Sequence, residues 1–320
     1  MKQKLFIIGS ILLLLIILFF ITKDLLFRNK EDITNPYEYN LDQLKKSDSL
    51  EIAFKEIKQF TPGIDELYGI AVDSSDQIYI SGKNGVEVFY NTGKPEKKFN
   101  VNGIARSIDV GNDGNIFVGL DDHIEVFDND GNLLNKWESE SSNSILTSVA
   151  VISPDVFVAD AGEKVVYHYN LNGKLLNRIG QKDPQHNIPG FVVPSYNFDL
   201  GISPSGNLWI VDPGRHLIMN FGYDGTLISS WGKTSIGADG FCGCCNPSHF
   251  AFFPDGSFIT SEKGIERIKV YGPDGIYKYL VASPDSFEEG TRGLDLAVDS
   301  QERILVLDPV KKKVRIFVKK

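Results

Sequence analysis

An apolar triplet returns six times along the chain: Ile70-Ala71-Val72, Ile108-Asp109-Val110, Val149-Ala150-Val151, Leu200-Gly201-Ile202, Phe250-Ala251-Phe252 and Leu296-Ala297-Val298. A turn of Asp, Asn, Gly, Ser or Pro follows each triplet. A second apolar run comes next: Ile78-Tyr79-Ile80, Ile116-Phe117-Val118, Val156-Phe157-Val158, Leu208-Trp209-Ile210, Phe258-Ile259-Thr260 and Ile304-Leu305-Val306. Short apolar runs bounded by turn residues, without helical periodicity, predict strands. A strand-only unit recurring every 40 to 50 residues or so predicts propeller blades. The pattern therefore specifies an all-β, six-bladed β-propeller.

Five of the repeats continue into a fourth strand, at 96–99, 133–137, 175–179, 227–231 and 277–281. The sixth lacks one, because the sequence runs out just after Val318. The alternating stretch from Leu50 to Ile57 is the candidate to fill that edge, since an unpaired outer strand invites aggregation. The expected domain is thus a single ring over residues 50–320, with the N-terminal strand closing the last blade.

Before the ring, residues 5–22 are a nearly unbroken run of Ile, Leu and Phe. As a helix these 18 residues span roughly 27 Å, about the thickness of a bilayer core. The segment Phe19-Phe20-Ile21-Thr22-Lys23 has no small-residue cleavage site, and no cysteine lies nearby for lipid attachment. The expectation is an uncleaved signal anchor or transmembrane helix over 1–22, followed by a polar stalk over 23–49. Lys2 and Lys4 precede the span while Lys23, Arg28 and Lys30 follow it, so basic residues do not decide orientation. The short N-terminal flank places the propeller outside the cytoplasm.

The order I-A-V-D, D-G-N-I-F-V and I-E-V-F-D-N-D-G-N-L-L resembles the NHL repeat, over residues 69–320. The resemblance implies a six-bladed ring in a family that mixes protein-binding modules with metal-dependent lyases and hydrolases. Residues 241–264 also resemble a bacterial subgroup carrying G-C-C-N-P before P-D-G and T-x-E-K-G. That likeness implies that Cys244, Cys245, Asn246, Pro247, Glu262, Lys263 and Gly264 act together, and it brings no activity with it. Peptidyl-α-hydroxyglycine lyases, which are similar propellers, hold zinc with histidines at several blade starts. Here only His249 occupies such a position, which argues against that chemistry. Lactonase-like propellers gather acids on a central calcium, and Asp109, Asp199 and Asp295 lie on first strands where they can face inward.

Departures from the repeat point to a functional face. Long links precede the fourth and fifth repeats, at 181–197 and 233–249, and a shorter one, 282–293, precedes the sixth. All share one rim, and long loops in compact domains are often functional. An acid follows the second strand in four repeats, at Asp160, Asp212, Glu262 and Asp308, with Arg215, His216 and Lys263 close by. These seven residues are the candidate ligand- or partner-binding rim, although an acid at this place in NHL-type blades also commonly bonds turn amides.

The chain's three cysteines, Cys242, Cys244 and Cys245, all fall in one of those links, with His249 four residues on. A C-x-x-C pair suits a disulfide or a redox couple. Three sulfurs and an imidazole also suit zinc or copper(I). A disulfide staple, a metal site and reduced packing thiols all remain open.

Composition narrows the partners. A formal charge of -9 over 320 residues argues against nucleic acid, which needs a basic face. The basic run over 311–320 alternates with apolar residues and reads as a last strand with a solvated face. No nucleophile triad or phosphate-binding glycine loop is present. The expectation is a binding or scaffold module, single-pass in a bacterial cell membrane with its propeller outside, taking a protein or small-molecule ligand. The alternative is a metal- or thiol-dependent enzyme or redox protein working through the Cys242–Cys245 loop.

Overall fold

The computed structural model describes residues 2–27, 52–182 and 189–320. The chain divides into two compact units, Met1–Asn40 and Leu41–Lys320. In the first, helix α1 (Lys2–Phe27) leaves its described apolar side chains, Leu12 to Ile21, exposed. Among the described residues no helix is long and apolar enough to cross a membrane, so the span expected over 5–22 is not found there. Most of the stalk expected over 23–49, and Leu50 and Glu51, lie outside the described residues.

The second unit is built of strands. The first is β1 (Phe54–Phe60). Next come β2 (Leu67–Val72), β3 (Ile78–Phe89), β4 (Pro95–Val110), β5 (Ile116–Leu120), β6 (His123–Phe127) and β7 (Leu133–Glu138). A group of four follows: β8 (Leu146–Ile152), β9 (Asp155–Asp160), β10 (Val165–Asn170) and β11 (Leu175–Ile179). A second group contains β12 (Leu200–Ile202), β13 (Leu208–Asp212), β14 (Leu217–Phe221) and β15 (Leu227–Trp231). A third contains β16 (His249–Phe252), β17 (Phe258–Ser261), β18 (Ile268–Tyr271) and β19 (Tyr277–Ala282). The last strands are β20 (Asp295–Val298), β21 (Ile304–Asp308) and β22 (Lys313–Lys319).

Each repeat's first strand pairs antiparallel with its second, through Ile70↔Ile80, Ile108↔Val118, Val149↔Val158, Leu200↔Ile210, Phe250↔Thr260 and Leu296↔Val306. The first strands β2, β4, β8, β12, β16 and β20 neighbour one another in that order, and β20 returns to β2 to close a ring. Counted as sheets among the described residues, however, the ring has five blades and not the six expected. Four sheets have four strands, and the first two repeats share one of six, ordered β2-β3-β4-β5-β6-β7. The cause is continuous pairing. β4 bonds β3 as far as Ile104 and β5 from Ala105, so no break separates the two repeats.

The N-terminal strand completes the last sheet, ordered β1-β22-β21-β20, with Phe54 opposite Lys319 and Phe60 opposite Val314. It begins at Phe54, later than Leu50; Ile52 instead bridges to Leu280 beside it. Neighbouring repeats lock together where a fourth-strand aromatic meets the next hairpin. Gly131, Gly173 and Gly275 have φ of 85°, 78° and 75°, and a Cβ on any of them would come within 2.7 Å of Phe99, Trp137 or Trp231. Only glycine combines that conformation with so close an approach.

Candidate functional site

The four acids after the second strands are buried, and each serves its own link. Asp160 accepts from the Ile145, Gly162 and Glu163 amides at 2.9, 2.9 and 3.2 Å. Asp212 accepts from Val192 N at 3.2 Å and pairs with Arg215, whose Nη1 also donates to Gly190 O at 2.7 Å. Burial pushes the Asp212 carboxyl up, although Arg215 opposes the shift. Asp308 accepts from Lys311 N and faces Arg315 Nη1 at 3.5 Å, while Lys311 and Arg315 both donate to Ser286 O in the 282–293 link.

Glu262 lies in a buried cluster with Arg267 Nε at 2.5 Å and Lys269 Nζ at 3.2 Å. Arg267, just before β18, and Lys269 and Tyr271 on it then hold the 233–249 link by its carbonyls: Arg267 donates to Gly237 O, Tyr271 to Ala238 O and Lys269 to Gly240 O. Burial lowers the Lys269 ammonium to about 8, with Glu262 opposing. The charged run Glu266-Arg267-Ile268-Lys269 is not a solvated face. It is instead covered by an insertion whose backbone needs donors.

His216 and Lys263 are also engaged. His216 Nε2 lies 2.8 Å from Gly243 O and its Nδ1 2.8 Å from Thr234 Oγ1. Lys263 Nζ donates to Ser195 Oγ and Asn197 Oδ1, both at 3.3 Å. Buried Asn246 joins the cysteine loop to the turn after β17. Its Nδ2 donates to Cys242 O (2.6 Å) and Lys263 O (2.9 Å), and its Oδ1 accepts from Lys263 N (3.0 Å).

No disulfide links the three cysteines: Cys244 is exposed, Cys242 half-buried and Cys245 buried. The close pair is the adjacent one, Cys244 and Cys245, with sulfurs 2.9 Å apart. Among the described residues no group of three or more His, Cys, Asp or Glu side chains is placed to hold a metal. The zinc or copper site sought at Cys242, Cys244, Cys245 and His249 is therefore not assembled. His249 opens β16 and faces the centre of the ring, where its Nδ1 lies 3.5 Å from Asp295 and 3.8 Å from Asp199.

That centre is a cavity of about 360 Å³ lined by the six first strands. Its carboxylates clamp neighbouring strands. Asp109 on β4 accepts from Val151 N at 2.8 Å, Asp295 on β20 from Ile70 N at 2.9 Å, and Asp199, just before β12, from Phe250 N at 2.9 Å. Asp199 also accepts from Ser148 Oγ at 2.7 Å. Burial raises Asp109 and Asp295 each to about 6 and pushes Asp199 up as well; His249 opposes the shift at Asp199 and Asp295. The inward direction foreseen for the three acids is what the strands give. Their oxygens, however, serve strand amides and do not converge on one point.

Above His249 the cavity opens between Tyr68, Arg106, Thr147, Tyr196, Asn197 and Arg292. The Arg106 guanidinium lies 5.6 Å from the Tyr68 ring centroid and 5.3 Å from that of Tyr196, and pairs with Asp121. Tyr196 is 60% exposed. Sequence reading missed Tyr68, Arg106, Tyr196 and Arg292. The signal was available, because the long link 181–197 and the shorter link 282–293 deliver Tyr196 and Arg292.

No family profile and no curated protein matches the chain. Solved structures do. A streptogramin B lyase superposes with a TM-score of 0.58 at 11% identity, over 83% of this chain and 98% of that one. The chain is a β-propeller. The WD40 propeller domain of Doa1 aligns over 79% of both chains (TM-score 0.56, 16% identity), and virginiamycin B lyase from Staphylococcus aureus over 79% of this chain and 81% of that one (0.55, 13%). At such identities the likeness is of fold alone, and the NHL resemblance rests on the repeat residues.

Proposed function

We propose that this propeller is a binding module that takes its ligand at the mouth of the central cavity, on the face carrying the long links. One observation carries the reading: a guanidinium held between two tyrosines, one of them exposed, above a cavity that contains His249. Arg106 and Arg292 supply positive charge in an otherwise acidic chain. Planar guanidinium and aromatic faces suit a carboxylate- or phosphate-bearing ligand with an apolar or aromatic body. The buried acids of the rim hold the links that shape this mouth. The exposed apolar side chains of α1 support tethering of the propeller at the outer face of a bacterial cell membrane.

The test is site-directed photo-crosslinking in expressing cells. A photoreactive phenylalanine replaces Tyr196 or, as a control, the exposed Ile276 in the β18–β19 hairpin. The expected result is a discrete adduct from position 196 that Arg106→Gln removes, with none from 276. Equal labelling at both positions overturns the reading. Carbonate extraction of the same cells checks the tether, and release of the full chain into the supernatant excludes it.

A further inference from the structure

In an extended chain adjacent side chains point to opposite faces, so neighbouring cysteines ordinarily hold their sulfurs apart. Here Cys245 has a φ of 69°, which turns the backbone and brings Cys244 Sγ to 2.9 Å from Cys245 Sγ. A disulfide bond is about 2.05 Å long, so closing it takes roughly 0.9 Å of further approach. The surrounding loop is fastened on both sides of the pair. His216 Nε2 meets Gly243 O before it, and fully buried Asn246 binds Cys242 O and both backbone groups of Lys263 after it. The two sulfurs also differ in access: Cys244 is exposed and Cys245 is 1% exposed.

We propose that Cys244 and Cys245 form a thiol–disulfide exchange site that closes into a vicinal disulfide. The pairing is not the Cys242–Cys245 one that the C-x-x-C spacing suggests, and it is independent of ligand binding at the cavity mouth. The co-reactant is a small disulfide, RSSR. The Cys244 thiolate attacks one of its sulfurs, the S–S bond breaks, and one RS⁻ leaves. The Cys245 thiolate then attacks Cys244 Sγ in the mixed disulfide and expels the second RS⁻. The two protons lost by the cysteines convert the leaving groups to two RSH. The protein loses two electrons and RSSR gains them. The exposed sulfur is the one a reagent reaches, and the buried one resolves the adduct. In the reduced state the same pair chelates a trivalent arsenical, which bonds two thiolates at once.

The test uses the purified full chain with oxidised glutathione, followed by alkylation and peptide mass spectrometry. The expected product has Cys242 alkylated, Cys244 and Cys245 unalkylated, and a mass lower by two hydrogens. In Cys245→Ser the reaction is expected to stop at a glutathione adduct on Cys244. As a second measurement, phenylarsine oxide is expected to bind one equivalent to the reduced chain and to Cys242→Ser, and none to Cys244→Ser, whose exposed position tolerates the change. A disulfide that includes Cys242, a stable glutathione adduct in the unsubstituted chain, three fully alkylated cysteines after oxidation, or arsenical binding lost in Cys242→Ser would each overturn the proposal.

Discussion

The ring buries carboxylates in two places and treats them differently. At the rim, Asp212, Glu262 and Asp308 each face a guanidinium or ammonium: Arg215, then Arg267 with Lys269, then Arg315. In the cavity, Asp109 meets only backbone amides, and Asp199 and Asp295 add a histidine at 3.5 Å or more. A nearby cation compensates a buried charge, whereas peptide dipoles compensate it less, so burial dominates at Asp109. At the rim most of these acids are ion-paired fasteners, though burial still raises Asp212, whereas Asp109 at the centre is a proton-binding clamp.

The contrast is testest most severely at Glu262. Removing it leaves Arg267 and Lys269 buried without their anion and frees the carbonyl-bound link they hold. Glu262→Ala is expected to cost about 3–5 kcal/mol in urea unfolding. A loss below about 1 kcal/mol would show that the cluster is solvated and the distinction false.

Asp109 gives a smaller effect of opposite character. Its folded-state value, about 6, lies above that of the unfolded chain, so the native state binds the proton more tightly. The stabilisation it contributes is complete below about pH 4 and is lost as pH rises through 6. A shift of about 2 units amounts to about 3 kcal/mol across that window. Asp109→Asn, which can still accept from Val151 N, is expected to remove that slope and to be at least as stable as the parent at pH 7. Parallel slopes from pH 4 to 7 in the two proteins would contradict this account.

Asp160 sharpens the comparison from the other side, being a rim acid whose bonds run to three amides and to no cation. Asp160→Asn retains a carbonyl acceptor and is expected to cost about 1 kcal/mol. A loss as large as that of Glu262→Ala would mean that the charge itself, and not the amide acceptor, matters there.

Much of the ring was legible because strand pairing follows the pleat. The triplets marked all six first strands, and the unfilled edge at Val318 pointed to a strand from the N-terminal side. The division into blades was harder to read, because the 100–104 connection is short enough for hydrogen bonding to run through β4. Lys269 was opaque for another reason: a charged residue in an alternating strand looks solvated until an insertion covers it. His249 was visible as a lone histidine beside cysteines. Its partners, Asp199 and Asp295, are distant in sequence, and only the ring's curvature places them around one imidazole. The 2.9 Å contact between Cys244 and Cys245 depends on one backbone angle that no spacing rule supplies.

The pairing of β1 with β22 also sets a timetable. Glu56 and Arg315, joined across that sheet at 2.6 Å, stand 259 positions apart. During synthesis, at roughly 5–20 residues per second, the outer segment must wait some tens of seconds for its partner. Until then β1 has no ladder to join, and the nascent ring stays open at the edge where β1 meets β22. Such long-range closure slows folding and leaves strand edges exposed in the meantime. A cell making this propeller has to guard that edge until the last strand arrives.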